Sequence, residues 1–160
     1  MSQAGYSLLE ELFGAANFSA EANDQYVRVL LMIVAGDGVV SEAEWGYLIG
    51  KANALGMPPE DIESWKKIDY TSGDLSIEAK KYWDLLGANG YDLFYDAVKM
   101  SGADGYAEEE RAALRKAAEA AGIPESVVVQ IEHLCELEES VRQLRISLLF
   151  PEGSVFHSQA

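Results

Sequence analysis

The fold is decided by Val34-Ala35-Gly36-Asp37-Gly38-Val39-Val40-Ser41-Glu42-Ala43-Glu44, an acidic turn followed by a helix start. A second such stretch begins 67 residues later, as Ser101-Gly102-Ala103-Asp104-Gly105-Tyr106-Ala107-Glu108-Glu109-Glu110. A Gly-x-Pro follows each stretch, at Gly56-Met57-Pro58 and 66 residues later at Gly122-Ile123-Pro124. Because the turn residues recur while the surface residues vary, the pattern predicts a duplicated helix-turn-helix-turn-helix unit.

Apolar residues recur at helical spacing through nearly the whole chain, and no segment alternates as a half-buried strand would. We therefore predict an all-α fold, a compact bundle of about eight helices with two pseudo-symmetric three-helix repeats, at about 20–67 and 89–137. One helical domain spans 1–150, and 151–160 form a loose C-terminal tail. A short amphipathic helix over Tyr6–Ala16 opens the chain.

Capping signals place several helix boundaries. Ser41 and Glu44 form a Ser-x-x-Glu capping box, and Gly56 ends the helix that they begin. The preceding helix, from about 20 to 35, is apolar on most faces and is expected at the centre of the fold. The last and longest helix is predicted over 126–150. Its apolar side consists of Val129, Leu134, Leu137, Val141, Leu144 and Leu148.

Composition restricts the kinds of partner. The 160 residues include 12 Lys and Arg against 27 Asp and Glu, for a net charge of -15. This surplus repels phosphate backbones, so nucleic acid is excluded as the expected partner. It suits divalent cations, basic protein surfaces or simple solubility.

The chain shows no signal for export or membrane insertion. Cys135 is the single cysteine, which excludes a disulfide framework and a thiolate metal cage. Met1-Ser2-Gln3-Ala4-Gly5 lacks the basic start and apolar run of a signal peptide. The apolar run at Val27–Val34 is interrupted by Arg28 and is too short to cross a bilayer. We expect a cytoplasmic protein without direct membrane insertion.

The acidic turns are not ordinary EF-hands. Taking Asp37 as loop position 5 places Glu44 at position 12, as in a calcium-binding loop. Positions 1 and 3 are then Ile33 and Ala35, which offer no side-chain oxygen. In the second copy Arg111 falls at position 12, where a bidentate glutamate is required. The EF-hand interpretation is therefore rejected.

A weaker cation site remains open. Each turn follows the carbonyl end of one helix, and glutamates occupy the first turn of the next helix. Cations of the calcium or magnesium class prefer such carboxylate and carbonyl oxygens. The alternative is purely structural, because Asp-Gly is a turn signal and first-turn glutamates interact favourably with the helix dipole. The candidate ligands are Asp37, Glu42, Glu44, Asp104, Glu108 and Glu110.

These motifs resemble the TerB-like tellurite-resistance family, to which the N-terminal domain of the membrane-tethered co-chaperone DjlA is related. The resemblance rests on the apolar central helix, the Asp-Gly turn, the capped helix and Gly-(Met/Ile)-Pro, and it covers about Tyr26 to Leu137. It implies a compact all-α bundle with metal-binding acidic motifs, at the same six candidate residues. It also implies a role in bacterial stress response, in assemblies near the inner face of the membrane. The second copy departs from the pattern at Ala107, which replaces a hydroxyl cap, and at Arg111.

We therefore predict a non-enzymatic TerB-like module. We expect its acidic turns to bind a divalent cation or a cationic surface. A partner protein, for example one associated with the membrane, then recognises whether the turns are occupied. The alternative is a small-molecule-binding helical protein, with an apolar pocket lined by Trp65, Tyr82 and Trp83 and with purely structural turns. No Ser-His-Asp or Cys-His arrangement and no phosphate-binding loop supports an enzyme.

Overall fold

The computed structural model describes residues 20–153. Their regular structure is entirely helical, which confirms the predicted all-α class. The predicted helix over Tyr6–Ala16 lies outside the described residues, so the total of about eight helices stays a prediction. Short 3-10 helices occur at Ala35–Asp37 and Gly87–Gly90. The α-helices are α1 (Ala20–Val34), α2 (Glu42–Ala54), α3 (Pro59–Trp65), α4 (Leu75–Leu86), α5 (Tyr91–Ser101), α6 (Glu108–Ala120) and α7 (Glu125–Leu149).

Helix α1 occupies the centre of the bundle, as its apolar composition predicts. Val27, Leu30, Leu31 and Val34 have no solvent exposure. Helices α4, α5 and α6 pack around it, so almost every face of α1 meets another helix. Burying an aliphatic side chain of this size contributes about 1.5–3 kcal/mol, which makes α1 the main hydrophobic anchor of the fold.

A buried carboxylate connects α1, α2 and α5. Asp96 on α5 is 1% exposed and accepts hydrogen bonds from the Tyr26 hydroxyl on α1 and from Lys51 Nζ on α2. The Tyr47 hydroxyl, also on α2, donates to Asp96 Oδ1 at 3.3 Å. Since a buried charge is tolerated only when it is paired and hydrogen-bonded, this network holds α2 in a defined place on the bundle.

Helix α7 binds the bundle through a polar side chain. Glu132 is 8% exposed, and its carboxylate accepts from Arg115 Nη1 and Nη2 on α6 at 3.2 and 2.9 Å. Val128 and Cys135 are buried one turn on either side of Glu132. From Glu139 onward the helix is almost entirely exposed, including most of the apolar side identified in the sequence. No helix among residues 20–153, including this one, is long and apolar enough to cross a bilayer.

Candidate functional site

The two acidic turns reverse the chain at glycines. The first turn ends at Gly38, whose φ of 106° lies in the left-handed region, and its amide donates to the Ala35 carbonyl at 2.9 Å. Asp37 Oδ1 accepts from the Val39 amide at 3.0 Å, which closes an Asx turn. The second turn also contains a glycine in the left-handed region, Gly105, with φ of 127°. Both predicted Asp-Gly turns are therefore present.

Each turn leads into a helix whose third residue is a buried glutamate. Ser41 caps α2: its Oγ accepts from the Glu44 amide at 3.2 Å, and its own amide donates to Glu44 Oε2 at 2.6 Å. The predicted capping box is confirmed. At α6 only the second half forms, since Ala107 has no side-chain oxygen and its amide donates to Glu110 Oε2 at 2.7 Å. These bonds direct both glutamate side chains back toward the turns.

The structure also locates the residue that the second copy lacks. Asp37 precedes the N-cap Ser41 by four residues, whereas Asp104 precedes the N-cap Ala107 by three. The missing residue therefore belongs to the turn itself. Counted from the cap, the counterpart of Glu44 is Glu110, and Arg111 lies one position beyond it.

The carboxyl groups of Glu44 and Glu110 meet inside the protein. The two residues are only 2% and 3% exposed, and their carboxyls lie within hydrogen-bonding reach of each other. Burial, and then the neighbouring Glu44 carboxyl, raise the pKa of Glu110 to about 7, well above its ordinary value of 4.5. Two buried carboxylates in contact cannot both stay ionised without compensation, so the pair holds a proton near neutral pH.

The hydroxyl of Ser101 completes the surroundings of the pair. Ser101 ends α5, has no solvent exposure and contributes to lowering the pKa of Glu110, so its Oγ faces that carboxyl. Among the described residues, this Oγ nevertheless lacks a hydrogen bond of ordinary geometry. A buried polar atom without a partner costs about 1–3 kcal/mol, which makes it a ready additional ligand or donor beside the carboxyls.

The structure brings together two of the six predicted ligands. The remaining four acidic residues are exposed, at the turns or in the first turn of α2 and α6; they are Asp37, Glu42, Asp104 and Glu108. Over the range 20–153, no group of three or more His, Cys, Asp or Glu side chains is arranged to hold a metal ion. The six-residue ligand set therefore stays a prediction, and the buried pair is its structurally defined part.

The aromatic residues of the alternative occupy different surroundings. Trp65 lines a cavity of about 60 Å³, together with Tyr26, Leu48 and Met57. Tyr82 is fully buried, and Trp83 makes an edge contact with the Tyr91 ring at 5.1 Å. Pockets that bind drug-sized ligands measure about 300–1,000 Å³, so this cavity suits a few water molecules better than a flat aromatic compound.

The buried network around Asp96 was missed at the sequence level. Burial, followed by the Asp96 carboxylate, raises the pKa of Tyr26 well above its ordinary range, which keeps the hydroxyl protonated as a donor. On α5, which also carries Asp96, burial raises the pKa of Asp92. The Asp92 carboxylate accepts from the Tyr82 hydroxyl at 3.0 Å. One signal was available, because Asp96 interrupts an apolar helix face formed by Leu93, Ala97 and Met100.

Comparison with known proteins agrees with this architecture. No protein-family model matches the chain, and no curated protein matches it. Among solved structures, the chain is similar to the crystal structure of a tellurite resistance protein from Nostoc punctiforme, with 29% sequence identity and a TM-score of 0.76. The match covers 92% of this chain and 92% of the other. The predicted resemblance to the TerB-like tellurite-resistance family is confirmed.

Proposed function

We propose that this TerB-like chain is a non-enzymatic module in which a divalent cation exchanges for the proton held by Glu44 and Glu110. The observation that carries the proposal is the burial, in mutual contact, of one carboxyl from each acidic turn. A cation of the calcium or magnesium class neutralises both carboxylates at once and accepts oxygen ligands of this kind. The buried Ser101 Oγ, which faces the Glu110 carboxyl, offers a third oxygen at the same place.

In this proposal the exposed acidic residues form an outer layer around the Glu44–Glu110 pair. Asp37 and Glu42 flank the first turn and Asp104 and Glu108 the second, where they attract cations before entry. The first turn also packs closely on α6, since a Cβ on Gly36 would lie 3.0 Å from the Glu110 Cα. Movement of one turn is thereby transmitted to the glutamate of the other.

The biological setting that we propose is supported by the similar protein. The Nostoc punctiforme structure is described as a tellurite resistance protein, which supports a role in bacterial stress response. In our proposal the protein acts in the cytoplasm. There a partner protein near the inner face of the membrane recognises whether the two turns hold a cation. The two sequence repeats form pseudo-symmetric halves, and the Glu44–Glu110 contact lies where their acidic turns meet.

Calorimetric titration with calcium, magnesium, manganese and zinc tests the cation proposal. Saturable binding is expected, with an affinity that rises between about pH 6 and pH 8 because the cation must displace a proton. Glu110→Gln and Glu44→Gln should each abolish it. The matched comparisons are Glu42→Gln and Glu108→Gln at the first position of the same two helices; as outer-layer residues they should weaken binding without abolishing it.

Two results would contradict the proposal. One is the absence of binding heat with all four metals at about pH 8, where the carboxyl pair should be most available. The other is binding that survives Glu110→Gln but disappears with Glu108→Gln, which would place the cation at the exposed turns. Hydrogen exchange at the turn amides, measured with and without bound cation, tests whether the turns change state as a partner would require.

A further inference from the structure

The second half of α7 exposes a continuous row of large apolar side chains. Leu137, Val141, Leu144 and Leu148 are 62%, 46%, 58% and 70% exposed. With Leu134 they follow one another at intervals of three, four, three and four residues. This is the spacing of a coiled-coil seam, and we call these five residues the α7 seam. A helix that projects from its bundle with such a seam uncovered is expected to pack against another helix.

A groove beside the seam has an unusual opposite wall. It encloses about 720 Å³ between α2 and α7, with Leu137, Val141 and Arg145 on one side and Gly46, Gly50 and Ala54 on the other. Gly46 and Gly50 lie inside α2, where each glycine costs about 1 kcal/mol relative to alanine. Among residues 20–153, a Cβ on either one would meet nothing within 4 Å, so packing within the described bundle does not explain them. Small residues spaced four apart let a second helix approach closely.

We propose that the groove receives the α7 of a second copy of this chain, in an antiparallel dimer with two-fold symmetry. In this register Val141 packs against Leu144 of the second copy, and Leu137 packs against Leu148 of the second copy. Each contact is made twice, as a two-fold interface requires. The end of each α7 then lies between the seam and the glycine face of α2 in the other copy.

The charges beside the seam favour the α7 of a second copy as the occupant, in the antiparallel direction. Glu138 follows Leu137 and Arg145 follows Leu144, each next to the seam. In the antiparallel register Glu138 of one copy lies beside Arg145 of the other, so two opposite-charge pairs border the interface. Within the described residues Glu138 accepts from Tyr95 and Lys99, whereas Arg145 has no acidic partner. The second copy supplies the carboxylate that Arg145 lacks.

Sedimentation equilibrium of the full chain at physiological ionic strength, over a wide range of protein concentration, tests the dimer. We expect a reversible monomer–dimer equilibrium. Val141→Glu should raise its dissociation constant about a hundredfold or more, and Arg145→Glu about tenfold. The matched control is Ile77→Glu, because Ile77 is 58% exposed but lies on α4, away from the groove. It should leave the dissociation constant within about twofold.

The variant Gly50→Leu distinguishes a loss of dimerisation from a loss of fold stability. Because its Cβ would meet none of the described residues within 4 Å and leucine favours helix, the variant should have a raised melting temperature as a monomer. The added side chain fills the groove, so the dimer should dissociate at least about tenfold more readily. A variant that gains stability while losing association cannot be explained by misfolding.

Disulfide trapping tests the direction of the helices. In a mixture of Val141→Cys and Leu144→Cys proteins, the antiparallel register predicts that the mixed disulfide dominates. Like-with-like disulfides would contradict it. A wild-type chain that is monomeric at every concentration would overturn the dimer. A chain that dimerises only after deletion of residues 1–19 would also overturn it, because the N-terminal segment would then be the occupant of the groove.

Discussion

A Cβ atom on Gly36 would lie 2.7 Å from the carbonyl oxygen of Glu109, so the first acidic turn contacts the backbone of the helix that follows the second. Real Cβ atoms do not approach a carbonyl oxygen this closely. The two sequence repeats therefore meet at their acidic turns. This contact places Glu44 and Glu110 close enough to share a proton.

Gly36→Ala should destabilise the protein by about 1–3 kcal/mol, because the added methyl group must separate the turn from α6. Urea unfolding at neutral pH measures the loss. Ala103→Gly is the control, since Ala103 is the counterpart of Gly36 in the second turn and already carries a Cβ. It should cost no more than about 1 kcal/mol. Equal stability of Gly36→Ala and wild type would show that the turns are not in tight contact.

Stability should fall as the pH rises through the pKa of Glu110. That pKa is about 7 in the folded protein against an ordinary value of 4.5, so between these values the folded state binds more protons than the unfolded state. The contribution is fully present below about pH 4.5 and is lost as the pH rises through about 7, at a cost of at most about 3 kcal/mol. Urea unfolding across about pH 5–8 measures it.

Glu110→Gln isolates this contribution from other titrating groups. Glutamine keeps an oxygen for the Ala107 amide and a donor for Glu44, so it mimics the protonated acid. The variant should have a flatter pH dependence than wild type and exceed its stability at about pH 8. Glu108→Gln, at an exposed position of the same helix, should keep the wild-type slope. An unchanged slope in Glu110→Gln would show that the carboxyl pair does not hold the proton.

The two helix caps predict opposite effects of exchanging serine and alanine. Ser41→Ala removes the oxygen that accepts from the Glu44 amide and should cost about 1 kcal/mol. Ala107→Ser supplies the missing half of the second capping box and should add up to about 1 kcal/mol. Thermal unfolding of both variants measures the difference. Destabilisation by Ala107→Ser would indicate that the site requires an apolar residue at that position.

Loss of the buried ion pair should be far more costly than loss of an exposed one. Asp96→Asn leaves the Lys51 ammonium without its buried carboxylate and should destabilise the fold by about 3–5 kcal/mol. Asp84→Asn breaks the Lys80–Asp84 pair, in which both side chains are more than half exposed, and should cost less than about 0.5 kcal/mol. Chemical denaturation compares them, and similar losses would contradict the anchoring role of Asp96.

Local features of the fold could be predicted because their causes are local. The Ser41–Glu44 capping box marks the start of α2 through groups three residues apart. The central position of α1 follows from its own composition, since a helix that is apolar on most faces must be covered on most faces. In both cases the sequence contains the interacting groups next to each other or at one helical period.

Contacts across the bundle could not be predicted in the same way. Nothing in the spacing of Glu44 and Glu110 states that their carboxyls touch, and the residue lost from the second turn aligned Glu44 with Arg111 instead. On α7 hydrophobicity gave no guide to burial. Glu132 is buried because two arginines of α6 compensate its charge, while Leu137 remains exposed. Such outcomes depend on partners that only the folded chain brings together.

Exchange of a proton for a metal ion at the Glu44–Glu110 pair is best followed by a carbon NMR titration of the Glu110 side-chain carboxyl, with and without saturating divalent cation. We expect a midpoint at about pH 7 in the absence of cation and a midpoint well below the ordinary value of 4.5 in its presence. A carboxyl that titrates near 4.5 without cation, or one whose midpoint no cation moves, would contradict the exchange of a proton for a metal ion at the Glu44–Glu110 pair.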